Sequence, residues 1–278
     1  MVLALGSALV YGVSDYVGGR ASRRTAPVVV SLLAEVSLFM VMLVVVPVVE
    51  TNAPSDAAVW WGVAGGVAGS AGVLGLYVAL SRGNMTVVAP ITGVVAAALP
   101  VLVGVALGER PGGLAVGGII VAMVAVSLIG GIVGVSHVEA STVLLATVVG
   151  AAFGMLFVAY SRTGDDAGMW PLLTARFGAT PLLIAAFLVM RRRLRNVRFE
   201  RNALLPGMSI GLMIGLANGL YLLAARRGML SVVAVLVALY PASTVALASV
   251  LDGERAGRSQ LIGMALAVAA VTMITAGS

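Results

Sequence analysis

The chain has 278 residues, of which 60% are hydrophobic and only 10% charged, and its mean hydropathy is +1.10. A soluble domain carries about 25% charged residues because water must wet its surface, so a water-soluble globular fold is excluded. Cysteine is absent and the net charge of +6 is carried by arginine alone; this excludes disulfides and thiolate chemistry and points to cytoplasmic membrane joints rather than nucleic acid.

The apolar stretches run to roughly 20 residues each, the length that crosses ~30 Å of hydrocarbon. The first is expected at 2–19, with Asp15 in GVSDYVGG; lacking a basic leader or cleavage site, it reads as a retained helix. Further helices are expected at 28–49, 58–80, 85–107, 114–135, 142–161, 169–190, 203–225, 229–251 and 259–277. Between them lie breaker-rich and charged joints such as RASRRTAP, GERPGG, SRTGDDAG and DGERAGRS. Pro90, Pro100, Pro181 and Pro241 interrupt the hydrogen-bond ladder and are expected to kink helices 4, 7 and 9. The fold class is therefore an all-α polytopic membrane protein with ten transmembrane helices.

A repeat follows from one offset. Gly108-Glu109-Arg110 recurs 145 residues later as Gly253-Glu254-Arg255, Arg82-Gly83 as Arg227-Gly228, Val87-Val88-Ala89 as Val232-Val233-Ala234, and Gly118 as Gly263. Gly62 and Gly66 map onto Gly207 and Gly211. The chain is expected to divide into five-helix units at 1–137 and 138–278. Five is odd, so the second unit enters the membrane upside down, and inverted repeats are a signature of secondary transporters with a midplane site between the halves. Gly207, Gly211, Gly215 and Gly219 share one face of helix 8, as Gly62, Gly66 and Ser70 do in helix 3. Small residues at that spacing let helices approach closely in lipid, which suits static packing or a sliding surface.

The segments ALSRGNMTVVAP (79–90), LGERPGGLAVGG (107–118), AARRGMLSVVAV (224–235), Tyr240-Pro241 and DGERAGRSQLIG (252–263) resemble the drug/metabolite transporter superfamily, in its ten-helix form with two EamA repeats. The resemblance covers nearly the whole chain and implies alternating-access transport of a small organic solute. It does not name the substrate. Two departures stand out. Ala96 holds the place where the offset from Pro241 demands proline. The odd joints, counted from the N-terminus, also carry most of the arginines, which puts both termini outside by the positive-inside rule, opposite to familiar members.

Three ionisable side chains lie away from helix ends: Asp15, Glu35 and Arg176. Each costs about 2.5–3.5 kcal/mol at a helix centre, so each is expected to face the bundle interior. Aligning LLAEVSLF (32–39) with LTARFGAT (173–180) sets Glu35 against Arg176. By resemblance, Arg176 also matches an arginine common in the second helix of an EamA unit. Three roles stay open: a structural ion pair, a carboxylate that carries a proton, and a contact for the charged end of a substrate. Asp15 can equally reach toward Arg20, Arg23 and Arg24. Tyr11, Ser14, Ser31, Thr92, Tyr160, Thr174, Asn218, Tyr221 and Tyr240 are further cavity candidates, although interhelical hydrogen bonding is the commoner use of such groups. His137, Glu109 and Glu254 fall in joints. No HExxH helix or GxSxG turn is present, so neither an enzyme nor a cofactor is expected. The expected protein is a multi-pass carrier of the bacterial inner membrane that exports an amino acid or related metabolite, with proton coupling as an open option. It works as a monomer or weak homodimer. Multidrug efflux, a sugar or nucleotide-derivative carrier, and a non-transporting receptor or assembly subunit are the alternatives.

Overall fold

Long runs of Val, Leu, Ala and Gly leave a backbone in lipid no hydrogen-bond partner but itself, and the helix is the one local structure that pairs every group. In the computed structural model, residues 1–22, 25–81, 85–130, 139–190, 204–253 and 256–277 are described. Among these, every regular element is helical: α1 (Val2–Ser22), α2 (Pro27–Val49), α3 (Asp56–Ser81), α4 (Met85–Ala106), α5 (Gly113–Gly130), α6 (Ala140–Ser161), α7 (Trp170–Met190), α8 (Leu204–Ala225), α9 (Leu230–Ala238), α10 (Tyr240–Leu251) and α11 (Arg258–Ala276). Nine described segments are long and apolar enough to cross a membrane, with Leu230–Leu251 counting once; α4 supplies a shorter apolar span, Pro90–Ala106.

The ninth expected helix is two helices. Pro241 has no N–H to return to the Val237 carbonyl, and the Leu239 N–H turns back to Leu236 O and Val237 O instead. Pro90, Pro100 and Pro181 lie inside helices that continue through them. All nine residues of α9 are buried, whereas no residue of α10 is. So α9 is a rod at the centre of the bundle, apolar but for the buried Ser231, in contact with α1, α4, α5 and α8.

The packing obeys the repeat. α3 lies on α6 and α7 as α8 lies on α1 and α2; α4 packs on α6 as α10 packs on α1; α5 meets α11, and α2 meets α7. Exchanging the halves returns these same pairs, which is a pseudo-two-fold relation between inverted units. It holds to the residue. A Cβ on Gly118 would lie 3.0 Å from both Ala270 O and Ile274 N, and one on Gly263 would lie 2.9 Å from both Ala125 O and Ile129 N. These residues all obey the offset of 145. At α2 and α7 the offset becomes 141: Gly66 abuts the Ala175 carbonyl and Gly211 the Ala34 carbonyl, while Gly62 abuts Thr174 and Gly207 abuts Leu33.

The recurring Gly-Glu-Arg has a structural cause. Gly108 takes φ +95° and Gly253 φ +68°, the left-handed backbone that ends a helix and that glycine adopts without strain. At Gly108 the bonds are Glu109 N to Gly104 O and Gly108 N to Val105 O, both 3.0 Å. This turn throws the Glu109 carboxylate across to the other repeat, where it accepts the Leu230 N–H at 2.5 Å and the Ser231 N–H at 2.9 Å. It thereby caps α9, the acid offsetting the positive end of the helix dipole. Glu254 and Arg255 lie outside the described residues, as do His137, Arg23, Arg24, Arg82 and the arginines of the seventh joint.

Candidate functional site

A charge in the middle of a bilayer needs a counter-charge or water. The register of α2 against α7 supplies the counter-charge. Arg176 Nη1 donates to Glu35 Oε2 at 2.7 Å, and Thr180 Oγ1, one turn further along α7, donates to Glu35 Oε1 at 3.1 Å. Arg176 Nη2 reaches the Tyr160 hydroxyl at 3.3 Å. Glu35 is 9% exposed and Arg176 6%. Both carboxylate oxygens are therefore engaged. The guanidinium is not saturated: its Nε is buried without a partner.

Arg176 lines a seam too tight to admit a water molecule, with Tyr160, Asn218, Leu38, Met42, Leu172 and Gly215. Asn218, 3% exposed, accepts the Tyr11 hydroxyl at 2.7 Å through Oδ1, which leaves its amide N–H groups free to donate. Tyr11 and Tyr240 place their rings 6.1 Å apart; the Tyr221 ring lies 4.6 Å from Phe157 and 6.4 Å from Tyr160. The Tyr221 hydroxyl donates to Phe157 O at 2.9 Å. One polar and aromatic cluster thus draws on α1, α2, α6, α7, α8 and α10.

Other candidates fall outside it. Asp15 is exposed, one turn beyond Tyr11, and no cation among the described residues pairs with it; Arg20 pairs with Asp252 instead. Ser14 is buried on α1, and Ser31 is half-buried one turn before Glu35. Thr92 Oγ1 is spent on Ala146 O at 3.3 Å and Thr174 Oγ1 on Ala58 O at 2.8 Å, so these two hydroxyls tie α4 to α6 and α7 to α3. Gly215 lines the seam as well as packing on Leu38, whereas Gly219 makes only an ordinary contact, 3.7 Å from a Cβ to Leu172. Thr180 escaped the sequence reading; its signal was the spacing of four from Arg176.

A second network closes the end of the bundle where the even joints meet. Glu50 accepts the Met169 N–H at 2.6 Å, Trp170 Nε1 donates to Asn52 O at 2.8 Å, and Arg226 Nη2 donates to Gly168 O at 2.5 Å. The Glu50 carboxylate occupies the place a Cβ on Gly168 would take, and Gly168 has φ +53°. Burial pulls the Arg226 guanidinium below its usual range, opposed by the nearby carboxylates of Asp165, Glu50 and Asp166.

An inverted repeat built around a midplane polar cluster is transporter architecture, and the comparison with known families agrees. The EamA-like transporter family matches residues 1–131 and again 140–276. The chain belongs to that family. It is thus a multi-pass membrane protein of the drug/metabolite transporter superfamily, a family of transporters. No curated protein matches the chain. A solved structure, described only as the crystal structure of a protein, superposes with a TM-score of 0.82 at 16% identity, over 99% of this chain and 96% of its own. At that identity the likeness concerns the fold.

Proposed function

We propose that this EamA-family chain is a secondary carrier of the bacterial inner membrane that exports an amino acid or related small metabolite by alternating access, coupled to protons through the buried Glu35 carboxylate. The observation that carries the reading is the Glu35–Arg176 pair: a buried, charge-neutral contact between the two inverted halves, beside a seam that holds unpaired donors. A seam this narrow fits the occluded stage of a cycle in which the halves rock about the site. The interlocked even joints fit a closed gate on one face, and the arginine-rich odd joints fit the cytoplasmic face.

The absence of cysteine makes the test direct. Single cysteines are placed at Tyr16, toward the odd-joint end of α1, and at Ala167, in the even-joint network. Reconstituted protein is then labelled with an impermeant maleimide while metabolite pools are added. A pool that raises labelling at one site and lowers it at the other supports the carrier reading. Labelling that no pool changes at either site sinks it in favour of a static membrane subunit.

A further inference from the structure

We infer that the solute binds through a carboxylate on the free edge of Arg176, and that its binding loads one proton onto Glu35. This rests on the carrier reading and adds the chemical class of the solute and the coupling residue. The polar groups of the seam that are not already satisfied are donors: the buried Arg176 Nε–H and the Asn218 amide, whose oxygen is taken by Tyr11. A guanidinium offers Nε–H and one Nη as a parallel fork that matches the two oxygens of a carboxylate. Tyr160 holds Nη2 at 3.3 Å, a long contact that a carboxylate can replace. The remaining lining, Leu38, Met42 and Leu172, is apolar and would meet a hydrocarbon tail once the seam opens. The class is a small carboxylate with a branched or extended hydrocarbon group.

Charge balance supplies the proton. Arg176 and Glu35 sum to zero, one guanidinium against one carboxylate. A second carboxylate on the same guanidinium would leave a net negative charge in a dry core, and two carboxylates sharing one site do not both stay ionised. One proton from solution, bound to Glu35, restores neutrality: solute anion and proton enter together. No other group is better placed to take it. The elements packed on α2 present Arg176 from α7, and from α1 Tyr11, which is spent on Asn218, and Asp15, which is exposed. α8 presents Asn218 and Tyr221, the latter bonded to Phe157 O, and Tyr160 reaches Arg176 from α6. Glu35 already contacts the guanidinium that the anion would bind.

The test uses the purified full chain in weakly buffered detergent, titrated with isovalerate and with isovaleramide. Wild type is expected to take up about one proton per isovalerate bound, with affinity falling roughly tenfold per pH unit where Glu35 is ionised in the free carrier, and none for the amide. Glu35→Gln is expected to bind isovalerate without proton uptake and without that pH dependence. Isovalerate binding with no proton uptake in wild type overturns the inference, and so does amide binding as tight as that of the acid. These two comparisons need no variant. Failure of both ligands to bind, with maleimide labelling still alternating under a metabolite pool, overturns the inference and leaves the carrier reading standing. Loss of the alternation itself removes both.

Discussion

Glu35 and Arg176 hold equivalent places in the two repeats, and their side chains meet at 2.7 Å between α2 and α7. The glycine register at Gly66 and Gly211 makes the equivalence independent of the charges. Removing either partner strands a buried charge, so Glu35→Gln and Arg176→Gln are each expected to lose about 3–5 kcal/mol. Because the positions are symmetry mates, the exchange Glu35→Arg with Arg176→Glu is expected to recover most of that loss. Thermal unfolding in detergent reads all three. An exchange variant no more stable than either single variant would show that the two sites are not interchangeable.

Glu109 caps a helix of the other repeat. With Glu109→Ala the first N–H groups of α9 lose their acceptor, and about 1–2 kcal/mol of stability should go with it. Gly108→Ala should cost about 1 kcal/mol, since its φ of +95° disfavours any Cβ. Unfolding midpoints check both values, and a Glu109→Ala protein as stable as wild type would remove the capping role.

Crossing glycines divide by what lies opposite. Gly66→Ala drives a methyl into the Ala175 carbonyl and Gly211→Ala into the Ala34 carbonyl, so both should destabilise by about 1–3 kcal/mol through forced helix separation. Gly19→Ala meets nothing within 4 Å and should stabilise α1 by up to about 1 kcal/mol. Equal effects at all three sites would argue against close packing as the reason for the glycines.

The even-joint network makes its own prediction. Ala167 is 1% exposed, so Ala167→Cys should react slowly with an impermeant maleimide. Adding Glu50→Gln weakens the bond to the Met169 N–H, and the labelling rate should rise severalfold. An unchanged rate would mean that Glu50 does not hold this end shut.

Periodicity and length carried the helices, and one numerical offset carried the inverted repeat, because helix packing in lipid depends on small residues whose spacing is written in the chain. The pairing of Glu35 with Arg176 was legible for the same reason: few charges occur in the spans, and each needs a partner. The break at Leu239 was only half visible. Proline marks a lost hydrogen bond, but Pro90, Pro100 and Pro181 lose one too without ending their helices, and neighbouring packing decides which ladder gives way. The cap by Glu109 and the bond from Glu50 to the Met169 N–H join side chains to backbone groups 121 and 119 residues away. Any backbone N–H looks alike in a sequence, so such bonds leave no mark there.

An antiparallel homodimer of a five-helix protein would set the same residue opposite itself at the α2–α7 contact, either two glutamates or two arginines, and neither pair is tolerable in lipid. Only covalent fusion lets one gene encode both partners of an ion pair at mirrored positions. Once that divergence is fixed, the halves can no longer be separated and reassembled as like copies. On the proposed carrier cycle, the two end states would also cease to be mirror images in energy, which would bias the carrier between its inward and outward states.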